Sequence, residues 1–188
     1  MTQFLIRCFI KHPDDVKNAA VRTAYGNLAS LVGVACNLLL CLGKLTAGTL
    51  FGSIAIMADA LNNLSDASSN VVSLIGFKLA AKAPDAEHPF GHARYEYLAG
   101  LVVSVTILAI GFSLLKESVV KVLHPTQVVF SWLTVGILVV SILVKLWMSG
   151  FNRTVGRKIG SETLMATAAD SRNDVLSTGA VLLSTVLC

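Results

Sequence analysis

MADALNNLSDASSN, residues 57–70, sets a polar stripe into a stretch that otherwise reads as a membrane-spanning helix. Asn62 and Asp66 are spaced i, i+4, which at 3.6 residues per turn puts both side chains on one face, about 6 Å apart along the axis. Asp59 falls about 20° from Asp66 two turns away, so Asp59, Asn62 and Asp66 share one stripe. Ser65, Ser69 and Ser73 form a second stripe, of small residues that permit close helix approach in lipid. TAADSRNDVLS, residues 167–177, repeats the i, i+4 spacing with Asp170 and Asp174. A carboxylate at the bilayer centre costs about 2.5–3.5 kcal/mol on insertion scales, so it reads by default as an ion site. Two such pairs on two helices can close four oxygen-bearing side chains around one small cation. The competing readings are an interhelical hydrogen-bond network for the first pair and solvated carboxylates near a helix start for the second. Arg172 sits about 200° from both aspartates on the wheel and points away from them.

The chain around these stretches is a membrane protein. It is 54% hydrophobic, with a mean hydropathy of +0.71 and only 14% charged residues, against roughly 25% in soluble domains. Apolar stretches run near residues 28–51, 99–115, 128–151 and 175–188. A span needs about 20 residues, so the last must begin upstream of Asp170. The amphipathic segment near 53–80 makes a fifth span, its polar first half giving way to VVSLIGFKLA. The expected fold class is all-α, a polytopic transmembrane helix bundle. Residues 1–25 read as a cytoplasmic N-terminal segment and residues 26–188 as the transmembrane domain. The chain reaches Cys188 inside an apolar run, so the reading expects a chain cut short.

Charge placement sets the orientation. With the N-terminus in the cytoplasm, Lys78, Lys82 and Arg94 fall on the same side, as do Arg153, Arg157 and Lys158; the opposite loop carries Lys116 and Lys121. This matches the positive-inside rule for a multi-pass protein of the cell membrane, with membrane lipid rather than nucleic acid as its surroundings. Lys44, inside the first span, is expected to snorkel to the outer interface. The four cysteines form no CxxC pair and read as small buried hydrophobes. No nucleotide-binding Gly-rich loop, HExxH or nucleophile elbow is present, which argues against an enzyme and against a cofactor.

Between the second and third spans, PDAEHPFGHARYEY (residues 84–97) offers Asp85, His88 and His92 as candidate ligands on the cytoplasmic side. Pro89 and Gly91 argue against a regular helix between the histidines. Metal binding and a plain structural turn both remain open here. Arg94 and Glu96 read as interfacial ion-pair partners, and His124 as a loop residue.

GSIAIMADALNNLSD, EHPFGHARYEYLAG and ADSRND, in this order and at these separations, resemble the cation diffusion facilitator family of divalent-metal exporters. The resemblance implies six transmembrane helices, a cytoplasmic C-terminal domain, a homodimer, and exchange of a cytoplasmic metal ion for protons by alternating access. The resemblance covers helices one to five, so the reading expects a chain without the sixth span and the cytoplasmic C-terminal domain. The resemblance places the transport site at Asn62, Asp66, Asp170 and Asp174, and in some relatives the counterparts of Asp85, His88 and His92 hold a second, peripheral zinc ion. Asp59, on the same polar stripe as Asn62 and Asp66, is a candidate pathway residue, with a structural hydrogen-bond role as the alternative.

Zinc-transporting relatives carry a histidine among the four transport residues; here the set is one asparagine and three aspartates. Imidazole favours zinc, whereas carboxylate and carbonyl oxygens suit manganese, magnesium and calcium. The set resembles the manganese-exporting branch, and the expected cargo is Mn²⁺, with Fe²⁺ second and Zn²⁺ the alternative. Carboxylates crowded into a poorly solvated space repel one another and titrate as a unit, which couples the metal to protons. A metal-gated channel, a non-transporting metal-binding subunit and an inactive fragment are the rival readings.

Overall fold

Long runs of leucine, valine, alanine and isoleucine leave the backbone no partner in lipid but itself, and the chain answers with helices throughout. The computed structural model describes residues 2–10, 13–50, 54–123 and 132–187. Its helices are α1 (Thr2–Phe9), α2 (Ala19–Leu50), α3 (Ile54–Ala80), α4 (Arg94–Leu123), α5 (Trp132–Ile159) and α6 (Glu162–Leu187). The fold is an all-α membrane bundle, and α2 to α6 fall on the five stretches expected to span. By length and hydropathy alone, α2, α5 and the Arg94–Ser113 part of α4 are apolar enough to cross a membrane. Helices α3 and α6 fall short of that hydropathy because each carries a face of Asp, Asn, Ser and Thr. Helix α6, which carries the last apolar stretch, begins upstream of Asp170, at Glu162. Lys11, His124 and Cys188 lie outside the described residues.

Helices α2 and α3 pack along each other, as do α5 and α6; α4 lies against α3 and α6, and α2 also meets α5. The α5–α6 turn is written in Gly160 and Ser161. Gly160 adopts φ +62°, a conformation that a Cβ would strain. Ser161 then donates its N–H to the Gly156 carbonyl at 2.9 Å, closing α5 in a Schellman arrangement. The Ser161 hydroxyl in turn accepts the Leu164 N–H at 3.4 Å and caps α6. So short a turn forces α5 and α6 antiparallel and fixes which residues face each other.

One end of the bundle is sealed by Ile6, Ile10, Tyr25, Leu28, Ala29, Phe77, Phe151, Val155, Ile159 and Leu164, which pack as one apolar cluster. Helix α1 contributes Ile6 to it, so the N-terminal segment is docked on the bundle. Arg22 binds the same end together: its guanidinium grips Glu96 at 2.6 and 3.1 Å, and its Nε donates to the Ile159 carbonyl at 3.0 Å. Thr163 donates to the Glu96 carbonyl at 3.0 Å, which ties α4 to α6. Glu96 thus pairs with Arg22 and not with the nearby Arg94, because residues two apart on a helix point about 200° apart.

Three other expectations change. Lys44 does not snorkel: it is 3% exposed and pairs with Asp59 at 2.8 Å, a carboxylate near enough to make outward extension unnecessary. Cys8 is exposed on α1, while Cys41 is buried and Cys36 half-buried. Of the α3 serines, Ser69 and Ser73 are buried but Ser65 is exposed.

Candidate metal centre

Asp66, Lys145 and Asp174 each lie within a residue of the midpoint of their own helix, α3, α5 and α6. Packing of α5 on α6 therefore brings them to one depth. One carboxylate oxygen from each of Asp66, Asp170 and Asp174 falls within 4.8 Å of the others, a separation that one bound cation can span. The Asn62 side-chain N–H donates to Asp174 Oδ1 at 3.4 Å, so the amide borders the same cluster with its carbonyl oxygen uncommitted to that bond. All four residues read from the two polar motifs are brought together. Asp66 is 3% exposed, and Arg172 faces outward as its wheel position requires. Asp59 stands apart, held by Lys44.

Lys145 is the member of this cluster that the motifs did not reveal. Its Nζ donates to Asp66 Oδ2 at 2.5 Å and to Asp174 Oδ2 at 2.7 Å, and the residue is 3% exposed. Charge-assisted hydrogen bonds of this length are among the stronger polar contacts, and removing one partner leaves the other buried and unpaired. The signal was present in the sequence as the single charge within LTVGILVVSILVKLWM. At about 20 Å from either helix end it lies beyond the reach of a snorkelling stem.

Close helix approach supports the geometry. A Cβ on Gly33 would strike the Asn70 side chain, and one on Gly100 would meet Thr163 Oγ1 at 2.6 Å. Asn70 is itself anchored, donating to the Asp66 carbonyl at 2.7 Å. Ser149 donates to the Ala168 carbonyl at 2.7 Å and pins α5 to α6 one turn from Lys145.

A second group forms in the turn before α4, where Asp85, His88 and His92 also place one ligand atom each within 4.8 Å. The Asp85 carboxylate accepts the His88 backbone N–H at 2.8 Å and lies 3.2 Å from His88 Nδ1 and 3.4 Å from His92 Nε2. That backbone N–H first, then Lys82 and the His88 ring, hold the Asp85 carboxyl down to about 2. His92 is buried and stacks on Tyr95 at 5.6 Å, and its Nδ1 has no hydrogen-bond partner among the described residues. Gly91, at φ +81°, makes the turn that folds His92 back over Asp85.

A helical membrane bundle with carboxylates from two helices gathered at mid-depth is the architecture of a cation-handling integral membrane protein. The cation efflux transmembrane domain matches residues 30–188. The chain is 32% identical over 160 residues to the uncharacterized transporter MJ0449 of Methanocaldococcus jannaschii, covering 85% of this chain and 56% of that protein. It is 35% identical over 153 residues to the manganese efflux system protein MneS of Bacillus subtilis, covering 79% and 51%. A cation-efflux pump FieF of Salmonella arizonae is 29% identical over 163 residues, covering 85% and 54%. The chain belongs to the cation diffusion facilitator, or cation efflux, family, and it spans about half the length of these relatives.

Proposed function

We propose that this chain forms the transport module of a secondary transporter that exports a divalent cation, Mn²⁺ foremost, in exchange for protons. Asn62, Asp66, Asp170 and Asp174 are the ligands in this reading. The observation that carries it is the all-oxygen character of the cluster: three carboxylates within 4.8 Å and an amide beside them. Hard oxygen donors suit manganese better than they suit zinc, for which imidazole and thiolate are the usual partners. The name of MneS, a manganese efflux protein 35% identical to this chain, supports the same cargo. Fe²⁺ is the second ion of this reading, and Zn²⁺ the third.

The residues here supply binding and charge. Asp66 and Asp174 are tied through Lys145, Asp170 completes the acidic triangle, and the uncharged Asn62 adds a carbonyl without further negative charge. Protons and the metal compete for the same oxygens, which is the elementary condition for exchange. The N-terminus is cytoplasmic, by the basic residues of the loops on that side. Asp85, His88 and His92 form a peripheral cytoplasmic site whose two imidazoles favour zinc over manganese.

Proteoliposomes loaded with a metal-sensitive dye test the proposal. Mn²⁺ movement should depend on an imposed proton gradient, and Asn62→His should shift preference toward Zn²⁺. Flux indifferent to the gradient would favour a channel, and unchanged Mn²⁺/Zn²⁺ ratios in Asn62→His would sink the selectivity reading.

A further inference from the structure

We infer that Lys145 is a tethered competitor of the transported cation, an ammonium that shares the carboxylate oxygens of the site with the metal and so sets how tightly the metal is held. The inference rests on the metal site proposed above.

The geometry leaves little alternative to sharing. Lys145 Nζ is bonded to Asp66 Oδ2 and to Asp174 Oδ2, one oxygen on each of two helices. A cation held by Asp66, Asp170 and Asp174 needs an oxygen from each, and two of those carboxylates already serve the ammonium. Positive charges in so small a space repel one another strongly when water is excluded. The metal must therefore either displace the ammonium or bind beside it at reduced affinity.

Lysine suits this part better than arginine. Its ammonium is a compact point charge on a flexible four-carbon stem, free to swing, whereas a guanidinium is a planar fork committed to bidentate contacts. A landing place is at hand. Ser141 precedes Lys145 by one turn on the same face of α5, the direction in which helical side chains lean. It is 2% exposed, and its hydroxyl has no hydrogen-bond partner among the described residues. A displaced ammonium can donate to that oxygen and return when the metal leaves. The return stroke adds to proton competition a second, built-in force for release.

A purely structural Lys145 would clamp α5 to α3 and α6 with no bearing on metal affinity. Mn²⁺ binding measured by electron paramagnetic resonance of the free ion separates the two, on the purified protein in detergent, for wild type, Lys145→Met and Lys145→Arg. We expect Lys145→Met to bind Mn²⁺ about tenfold more tightly or better, within the range typical of coupled sites, and Lys145→Arg, whose guanidinium stays committed to the carboxylates, to bind it more weakly than wild type. The rise in melting temperature on adding Mn²⁺ should be larger for Lys145→Met than for wild type, since at a given concentration a tighter ligand stabilises more. If Lys145→Met folds only when Mn²⁺ is present, that rescue supports the inference; if Mn²⁺ cannot restore it, the inference fails. Equal or weaker binding by a folded Lys145→Met overturns the inference and leaves the metal site standing. Absence of Mn²⁺ binding in both wild type and Lys145→Met overturns the site and the inference together.

Discussion

Replacing Glu96 by alanine should loosen one whole end of the bundle. The Glu96 side chain is 5% exposed and takes two guanidinium hydrogen bonds from Arg22, at 2.6 and 3.1 Å, while Arg22 is 34% exposed. Breaking a fully buried ion pair by removing one partner costs about 3–5 kcal/mol. Arg22 retains its bond to the Ile159 carbonyl and reaches water with a third of its side chain, so the expected cost falls to ~2 kcal/mol. Glu96→Gln keeps the shape and loses the charge, and should cost about half as much. Arg22→Lys should also destabilise, since an ammonium cannot make the two-pronged contact. The assay is unfolding in mixed micelles as denaturing detergent is raised, followed by Trp147, which stacks on Phe151 at 5.5 Å beside the affected cluster. A double-mutant cycle with Arg22→Met isolates the pair itself and should return a coupling of ~1–2 kcal/mol. A cost below ~0.5 kcal/mol for Glu96→Ala, or no coupling between positions 22 and 96, would refute the reasoning, because values that small are typical of solvated surface pairs.

Asp170→Asn should lower Mn²⁺ affinity by at least the ~10–100-fold that losing an outer-shell partner costs a metal site, measured by equilibrium binding; unchanged affinity would remove Asp170 from the ligand set. Gly100→Ala should destabilise by ~1–3 kcal/mol in the same unfolding assay, because the new methyl meets Thr163 Oγ1 at 2.6 Å at the α4–α6 contact; a neutral result would show that the two helices can part. The Asp85 carboxyl, held at about 2 against an ordinary 3.8, should stabilise its turn fully above about 4 and lose that contribution as the pH falls through about 2. The His88 amide resonance reports it: a transition above pH 4 would mean that the bond from this amide to Asp85 is absent in solution.

How much of this was legible beforehand depends on sequence separation and on periodicity. The i, i+4 pairs at 62/66 and 170/174 announced one polar face on each of two helices, and spatial meeting followed once α3 and α6 were both central. Asp59 shared the α3 stripe by azimuth, yet it sits nearer the helix start, level with Lys44, and pairs there instead. Lys145 escaped because it belongs to no repeat: a single charge in an apolar run carries no spacing to read. Only its depth, too far from either end to reach water, marked it as a site residue. Lys44 was misread for the converse reason, since closeness to a helix end counts for little when a half-buried carboxylate lies within 2.8 Å. The Arg22–Glu96 pair joins residues 74 apart, and no local pattern points to it. The α5–α6 turn was foreseeable from Gly160-Ser161-Glu162, the order of a left-handed helix stop followed by a helix cap.

The claim on which the account turns is that α3 and α6 hold one divalent ion between them. A crystal structure of the protein grown with Mn²⁺, with anomalous scattering recorded at the manganese edge, addresses it most directly. The account predicts a single mid-membrane peak within bonding distance of oxygens from Asn62, Asp66, Asp170 and Asp174, with the Lys145 ammonium drawn off at least one of its two carboxylates. Manganese elsewhere in the bundle, with those four side chains unliganded and Lys145 still bridging Asp66 and Asp174, would contradict it.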